Sequence, residues 1–441
     1  MRIRVRGSGS LMAAAGDLTD QAVRRHGVGL MSDPNHWMVR QVGGARTRAG
    51  VPINEHSAMT LPAAFSAIRT IANAMAMVPC QLMRRAINPA TGRLETHPAT
   101  DHRLFNVVAR RPNERTTSHR WRQTTFGHAV GWGNGYSEIE RNGRGEALGI
   151  WQLLPDRTAP ELRDGNLRYR TTVENRQFSL PHDDVLHFAG MGWDGFTGYS
   201  PIALAREALG LGKATEAFGA SFFANDARSG GVLIHPGKLS DPAKDRVRDG
   251  FENQGGLENA HRIKVLEEGM KFVPTTIPPE DAQFLATQEF TVAQVARMFG
   301  VPLFLLHSHE KSTSWGSGLE EMGNSFVTYT LANWAVSAEQ EMDSKLLTEE
   351  ERASGLYFKF NFNAFLRGNV TARTAFYKAA INDGWMDPDE AREKEDMNAR
   401  GGDASKLRIP LNVRLEGEPP PEKPAPAKQT APADNGDTPD E

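Results

Sequence analysis

The sequence predicts an α+β chain, because its helical and its strand signals fall in separate blocks. Apolar residues recur at helical spacing over 60–78 and again in long segments near 200–226, 278–302 and 319–347. From Phe126 to Phe188 the pattern changes to short strands, broken by the turn sequences "RNGRG" and "RDGN". A compact strand–helix–strand unit ("GGVLIHP", "SDPAKDRVRDGFENQ", "HRIKVLEEGMKFVP") is set between two of the long helices. No repeat of fixed period runs through the chain.

Bulk properties narrow the function classes. A chain of 441 residues can bury a large core. The formal net charge of −3 gives no global sign of a nucleic-acid partner, although a channel needs only a local charge pattern. Cys80 is the single cysteine, which excludes an intrachain disulfide and a cysteine-rich zinc site and suits a reducing cytosol. The apolar run Leu303–Leu306 falls far short of the roughly 20 residues that span a bilayer. No signal-peptide core follows the basic start, so no membrane association is expected.

The two ends have biased composition. Residues 1–50 carry eight arginines against three aspartates with little periodicity, which predicts a mobile basic arm, and Met31 is a second candidate start. Prolines and acids crowd the far end, so 401–441 is expected to be a disordered tail.

Between them the elements follow in order. Thr60 is expected to cap a helix with Pro62 in its first turn and Phe65, Ile68, Ala72, Met75 and Val78 on its apolar stripe. Ser200-Pro201 opens a second helix reaching about Asp226, rich in small residues such as Ala203, Gly210, Gly212 and Gly219 that permit close packing. Pro278-Pro279 starts a third, with Val292, Val295, Ala296 and Phe299 as its stripe and Gly300 with Pro302 as its end. Thr291 and Gln294 offer a capping box there, so a break near Phe290 is allowed. A fourth helix, Leu319 to about Leu347, carries two apolar faces, Leu319/Met322/Phe326/Tyr329 and Val327/Leu331/Trp334/Ala338/Met342. Two faces imply neighbours on both sides. The strand "LYFKFNFNAFL" and a helical region from Val370 to Met397 complete the folded part.

The most chemically loaded stretch is "LLHSHEKSTSWGSGLEE", Leu305 to Glu321. His307, His309 and Glu310 could ligate a metal, but a structural zinc needs four convergent ligands and no H-E-x-x-H lies near, so no metal is expected. Ser317 sits in G-S-G and not in a nucleophile elbow; with Glu320 it forms a helix capping box. "GLGKAT" lacks the first glycine of a phosphate loop, where Glu207 stands, and has Ala214 where a hydroxyl would bind magnesium. "GWGNGY" is followed by strand signals, so it is no dinucleotide fingerprint. The stretch is expected to be a polar loop tying two long helices together.

Four segments in order resemble the portal proteins of tailed bacteriophages, of the Hong Kong 97 type. "GNGYSEIERNGRGEALGIWQLLPDR" looks like the family's aromatic strand, turn and "LxP" segment. "VLHFAGMGWDGFTGYSPIALAREAL" looks like its Gly-Ser-Pro entry into a helix. "PPEDAQFLATQEFTVAQVARMFGVP" is the most specific, and "SGLEEMGNSFVTYTLANW" is similar to the helix that follows. The resemblance covers roughly Thr60 to Met397. Two departures stand out: Trp315 is near the place of a tyrosine before the acidic pair, and Ala332-Asn333 replaces a frequent proline.

The resemblance implies a ring, typically of twelve copies, at one capsid vertex, with double-stranded DNA entering and leaving through its channel. By position, 51–199 and 348–368 look like the wing, 200–228 and 278–302 the stem helices, and 229–277 the clip. Residues 303–317 look like the tunnel loop, 318–347 the long wing helix and 369–400 the crown. In the loop, Lys311 is the candidate phosphate contact, with His307, His309, Ser312, Thr313 and Trp315 beside it; a merely solvated Lys311 is the alternative. In the clip, Arg246, Arg248 and Lys264 are candidates for docking partners, against a simple solvated face. Expected partners are the terminase large subunit, the major capsid protein and a head–tail adaptor, in a virion assembled in the host cytoplasm. No cofactor and no catalysis are implied. The rival readings are a soluble hydrolase using the His/Ser-rich loop, or a capsid-associated protein without a channel.

Overall fold

The computed structural model describes residues 47–89, 92, 94–163, 165–224, 231–237, 241, 242, 244, 245, 270–274, 281–306, 317–362, 370–395 and 397–408. Two compact units divide the chain, Met1–Asn363 and Ala364–Glu441.

In the first unit, helix α1 (Pro62–Met77) packs against what becomes α3 (Ser118–Trp132). Pro62 is the first helical residue, where a missing N–H costs nothing. The cap, however, is Leu61, without a side-chain bond, and the Thr60 hydroxyl instead donates to the Ser57 carbonyl at 2.8 Å. Ile68, Ala72, Met75 and Val78 are buried as expected, whereas Phe65 is 47% exposed. Helix α3 overturns the expected strand start at Phe126. Phe126, Ala129 and Val130 are buried on one helical face, so tertiary burial outweighs the local strand propensity of the run. Thr117 caps this helix, accepting from the Arg120 N–H, and Gly133 ends it at φ +82°.

Three antiparallel three-stranded sheets follow. The first has strands β1 (Cys80–Ile87) and β2 (Leu94–Pro98), with α2 (Arg103–Ala109) after them; its third strand comes from far along the chain. The second is built on β3 (Asn134–Arg141) between β4 (Ala147–Leu153) and the later β8 (Val185–Ala189). The third is β5 (Thr158–Arg163), β6 (Asn166–Val173) and β7 (Arg176–Pro181). The expected turns lie at the β3–β4 and β5–β6 connections, where Gly145 and Gly165 take positive φ.

Ser200 caps a single turn, Pro201–Leu204, and α4 (Arg206–Ala224) continues after a break at Ala205. Helix α5 (Asp281–Phe299) lies against α4. The small residues have a definite use: a Cβ on Gly212 would meet Thr291 Cγ2 of α5 at 2.6 Å, and one on Gly210 would meet Thr47 Cγ2 at 2.6 Å. Residues 47–50 are therefore held and do not belong to a free arm; Thr47 is buried, and Arg48 N–H donates to Glu207 at 2.9 Å. Nor does α5 break at Phe290. The Thr291 hydroxyl donates back to the Thr287 carbonyl at 2.9 Å inside a continuous helix, because the residue is needed in the α4 contact. Strands β9 (Gly231–Ile234) and β10 (Lys271–Pro274) pair antiparallel, with Val232 opposite Val273.

The last long helix is α6 (Ser317–Ser325), a stretch of π-helix at Phe326–Leu331, and α7 (Ala332–Leu346). The face carrying Leu331, Ala338 and Met342 is buried, but Met322 and Tyr329 on the other face are exposed, Tyr329 at 80%. Helix α8 (Glu349–Ala353) leads into β11 (Leu356–Phe360), which completes the first sheet with Cys80 opposite Phe360. Glu339 and Asp343 of α7 accept the outer N–H groups of Phe360 and Phe358, each at 2.7 Å, so that sheet edge is closed by carboxylates.

The second unit holds α9 (Val370–Asn382) and α10 (Pro388–Glu393) around Ala380, Met386 and Ala391. Asp389 accepts from the N–H groups of Arg400 and Gly401 and from the Ser405 hydroxyl, at 2.7 to 2.8 Å. Ordered chain thus runs past residue 400, where the tail was expected to begin; 409–441 lies outside the described residues.

Gly133 gives a test of this frame. Its φ is left-handed, and a Cβ there would run into the Tyr199 carbonyl. Gly133→Ala is expected to lower stability by at least about 2 kcal/mol, read as a fall in thermal midpoint. Gly127→Ala, whose Cβ would meet Ala72 at an ordinary 3.8 Å, should leave it nearly unchanged.

Candidate nucleic-acid interface: the hinge between two long helices

The chain between α5 and α6 is the expected functional loop, and its two ends are latched together. Helix α5 stops in a paired terminal motif: Val301 N–H donates to the Ala296 carbonyl at 3.0 Å and Gly300 N–H to Arg297 at 3.3 Å, with Gly300 at φ +65°. The Thr330 hydroxyl, from the π-helical stretch, donates to the Gly300 carbonyl at 2.7 Å. A short 3-10 turn, Leu303–Leu306, then rests against α1. Chain leaves this turn and returns at Ser317, the first residue of α6. A π-helical turn widens the backbone by one residue, and here it supplies the hydroxyl that clamps the loop base.

The predicted loop residues His307, His309, Lys311, Ser312, Thr313 and Trp315 lie outside the described residues, as do Arg246, Arg248 and Lys264. The same holds for the side chains of the expected capping pair, Ser317 and Glu320. Among the described residues no group of His, Cys, Asp and Glu could hold a metal ion. No helix there is long and apolar enough to cross a membrane.

A buried polar joint, not foreseen from the sequence, ties the sheets to α7 and to the segment leading into α4. Asn134 exchanges two hydrogen bonds with the Gly198 backbone, both 2.8 Å, and its Oδ1 also meets His187 Nε2 at 2.9 Å. His187 Nδ1 therefore accepts from the Tyr169 hydroxyl at 3.0 Å, and the ring is neutral. Glu341 of α7 accepts the His187 N–H at 2.9 Å and pairs with Lys345 at 2.6 Å, while Lys345 Nζ donates to the Val185 carbonyl at 2.7 Å. Every group is satisfied by another, and their chemistry is spent on joining β3, β6, β8 and α7. This explains "GNGY": its glycines permit close backbone approach and its asparagine is the bridge.

A model of the phage portal protein family matches residues 62–396, about three quarters of the chain. The chain belongs to that family. Among relatives of this portal protein, the probable portal protein of Streptomyces phage phiC31 is 39% identical over 240 residues, 54% of this chain and 52% of that one. The portal protein of Enterobacteria phage HK97 is 30% identical over 308 residues, 68% of this chain and 72% of that one. The chain thus matches about half the length of the first relative and nearly three quarters of the second. Its fold resembles a chain in the virion of a native gene transfer agent particle (TM-score 0.52, 22% identity, 82% of this chain and 98% of that one). It is also similar to the HK97-family phage portal protein from Corynebacterium diphtheriae (TM-score 0.52, 15% identity, 74% and 98%). Membership favours the portal reading over the hydrolase alternative.

Burial of two histidines, His187 in the joint and His128 on α3, is expected to make the portal protein acid-sensitive. Burial depresses His187 to about 3 and His128 to about 4. Both stay neutral when folded, so they contribute stability above pH 6.5 that is lost as pH falls toward those values. At pH 5 each costs roughly 2 kcal/mol relative to pH 7.5. Asp343, raised to about 6 by burial, offsets part of this because it takes up a proton in the folded state. The thermal midpoint should drop between pH 7.5 and 5, and less in His187→Gln; a flat or rising midpoint contradicts the assignment.

Proposed function

We propose that this portal protein is the protomer of a ring at one vertex of a capsid, with double-stranded DNA packaged and released along its axis. The observation that carries the reading is surplus apolar surface on the long helices. Phe290 of α5 and Met322 and Tyr329 after the hinge are exposed on the single chain, on elements already packed on their other faces. A head-to-tail contact repeated by rotation covers such faces and leaves a central hole. A similar fold occurs in the neck of a native gene transfer agent particle computed with C12 symmetry (TM-score 0.51, 21% identity), which supports twelve copies.

In this reading α4 and α5 are the stem, 229–277 the clip, the three sheets with α7 the wing, and 369–400 the crown. Residues 303–317 form the tunnel loop. A conduit must touch phosphates without holding them, and phosphate contacts carry no sequence information directly, which suits passage of a whole genome. Lys311 makes such a weak contact, with His307, His309, Ser312, Thr313 and Trp315 around it. Arg246, Arg248 and Lys264 face the terminase large subunit during packaging and a head–tail adaptor afterwards, and the wing meets the major capsid protein. The latch between Thr330 and Gly300 keeps the loop base fixed. The protein acts as a channel and not as a catalyst, in a virion assembled in the host cytoplasm.

Lys311→Ala should alter DNA retention or packaging while rings still assemble. The readouts are particle images and packaged DNA per particle. Unchanged packaging removes the contact from the account.

A further inference from the structure

A second charged feature sits on a different connection. Residues 110–117 join α2 to α3, whose first turn adds Arg120, and backbone hydrogen bonds hold the segment in place. Ser118 N–H donates to the Arg110 carbonyl at 2.8 Å, Arg111 N–H to Asn106 at 2.9 Å, and Ile150 N–H of β4 to the Pro112 carbonyl at 2.8 Å. Asn113 stiffens the turn: its Oδ1 accepts from the N–H groups of Arg115 and Thr116, both at 2.9 Å, and its Nδ2 donates to the Ile150 carbonyl at 2.7 Å. From this fixed base Arg110, Arg111, Arg115 and Arg120 all reach solvent.

The carboxylates facing them are few. Glu114 lies 3.7 Å from Arg115, a distance that leaves both largely solvated at 77% and 76% side-chain exposure. Glu140 is engaged by the Trp151 indole N–H at 2.8 Å. Four arginines against one glutamate within residues 110–120 make a positive ledge on a chain whose net charge is −3. Arg115 also stacks over the Trp151 ring at 5.5 Å, which holds its planar fork in a set direction. Arg111 braces the loop, donating to the Glu114 carbonyl at 3.0 Å, while among the described residues the Arg110 and Arg120 heads have no hydrogen-bond or ion-pair partner.

We propose that this ledge binds nucleic-acid phosphates without regard to sequence, as a holding site separate from the conduit. Guanidinium forks grip phosphate oxygens in pairs, where a lone lysine offers a point charge. A cluster of them retains a duplex; a tunnel loop with Lys311 lets it slide. The choice of duplex DNA as the polymer rests on the portal reading above.

The test uses a covalently closed circular duplex, which has no end to thread into a channel and so reports only binding outside it. Binding of the full-length protein is measured across a salt series, beside negative-stain images of the same samples. Arg110→Ala/Arg115→Ala/Arg120→Ala is expected to weaken binding about 10- to 100-fold at physiological salt and to lower the salt slope by about 2 to 3. The matching triple lysine variant should keep most of the slope, and Lys311→Ala should bind the circle as the unmodified protein does. An alanine variant with unchanged affinity and slope overturns the proposal. Loss of rings in that variant overturns it too, because the ledge is then a contact between copies. If the unmodified protein forms no rings yet the arginines still govern binding, the ledge stands and the portal reading fails.

Discussion

Everything in the first unit depends on how closely α4 and α5 approach. The Thr291 side chain fills the space that a Cβ on Gly212 would need, so the two helices meet along a thin seam. Thin seams bury little apolar area per residue. Larger side chains stay on partly exposed faces, Phe290 at 54% and Tyr329 at 80%. At roughly 25 cal/mol per Å2 of apolar surface removed from water, such faces supply a strong drive for association. A helix pair built this way is half of an interface.

The two other devices serve that pair. At one end, Asn134, His187, Tyr169 and the Lys345–Glu341 ion pair bind the sheets to α7 and to the segment leading into α4. Such a network is costly when any member is missing and specific when all are satisfied. At the other end, the Schellman turn at Gly300 and the Thr330 hydroxyl gather both roots of the hinge. A conduit needs this division, with rigid walls and a loop whose base does not wander.

What could be read from the sequence tracks how local the cause is. Pro62, the Gly145 and Gly165 turns, and the Gly300 stop are set by a few neighbouring residues, and each was legible. Phe126–Val130 carries strand-like residues yet is helical, because α1 buries it from a distance of some fifty residues. Thr291 has the chemistry of a cap, but its methyl is needed against Gly212. The pairing of β11 with β1 spans nearly the whole unit and leaves no local trace. That a connection follows α5 was legible from the Gly300 stop, while residues 307–316 lie outside the described ones. The latch at its base was not legible, since a threonine inside a helical pattern gives no sign that the turn around it is π. The stripe expected to need a neighbour is divided by the fold: Phe326 is buried, while Met322 and Tyr329 stay exposed.

The mass of the purified full-length protein at increasing concentration, by light scattering coupled to size exclusion, bears most directly on the central claim. The account predicts a discrete assembly of about a dozen copies, annular when the same fractions are imaged. A single species at the 48.5 kDa of one chain, unchanged at the highest concentration, would contradict it.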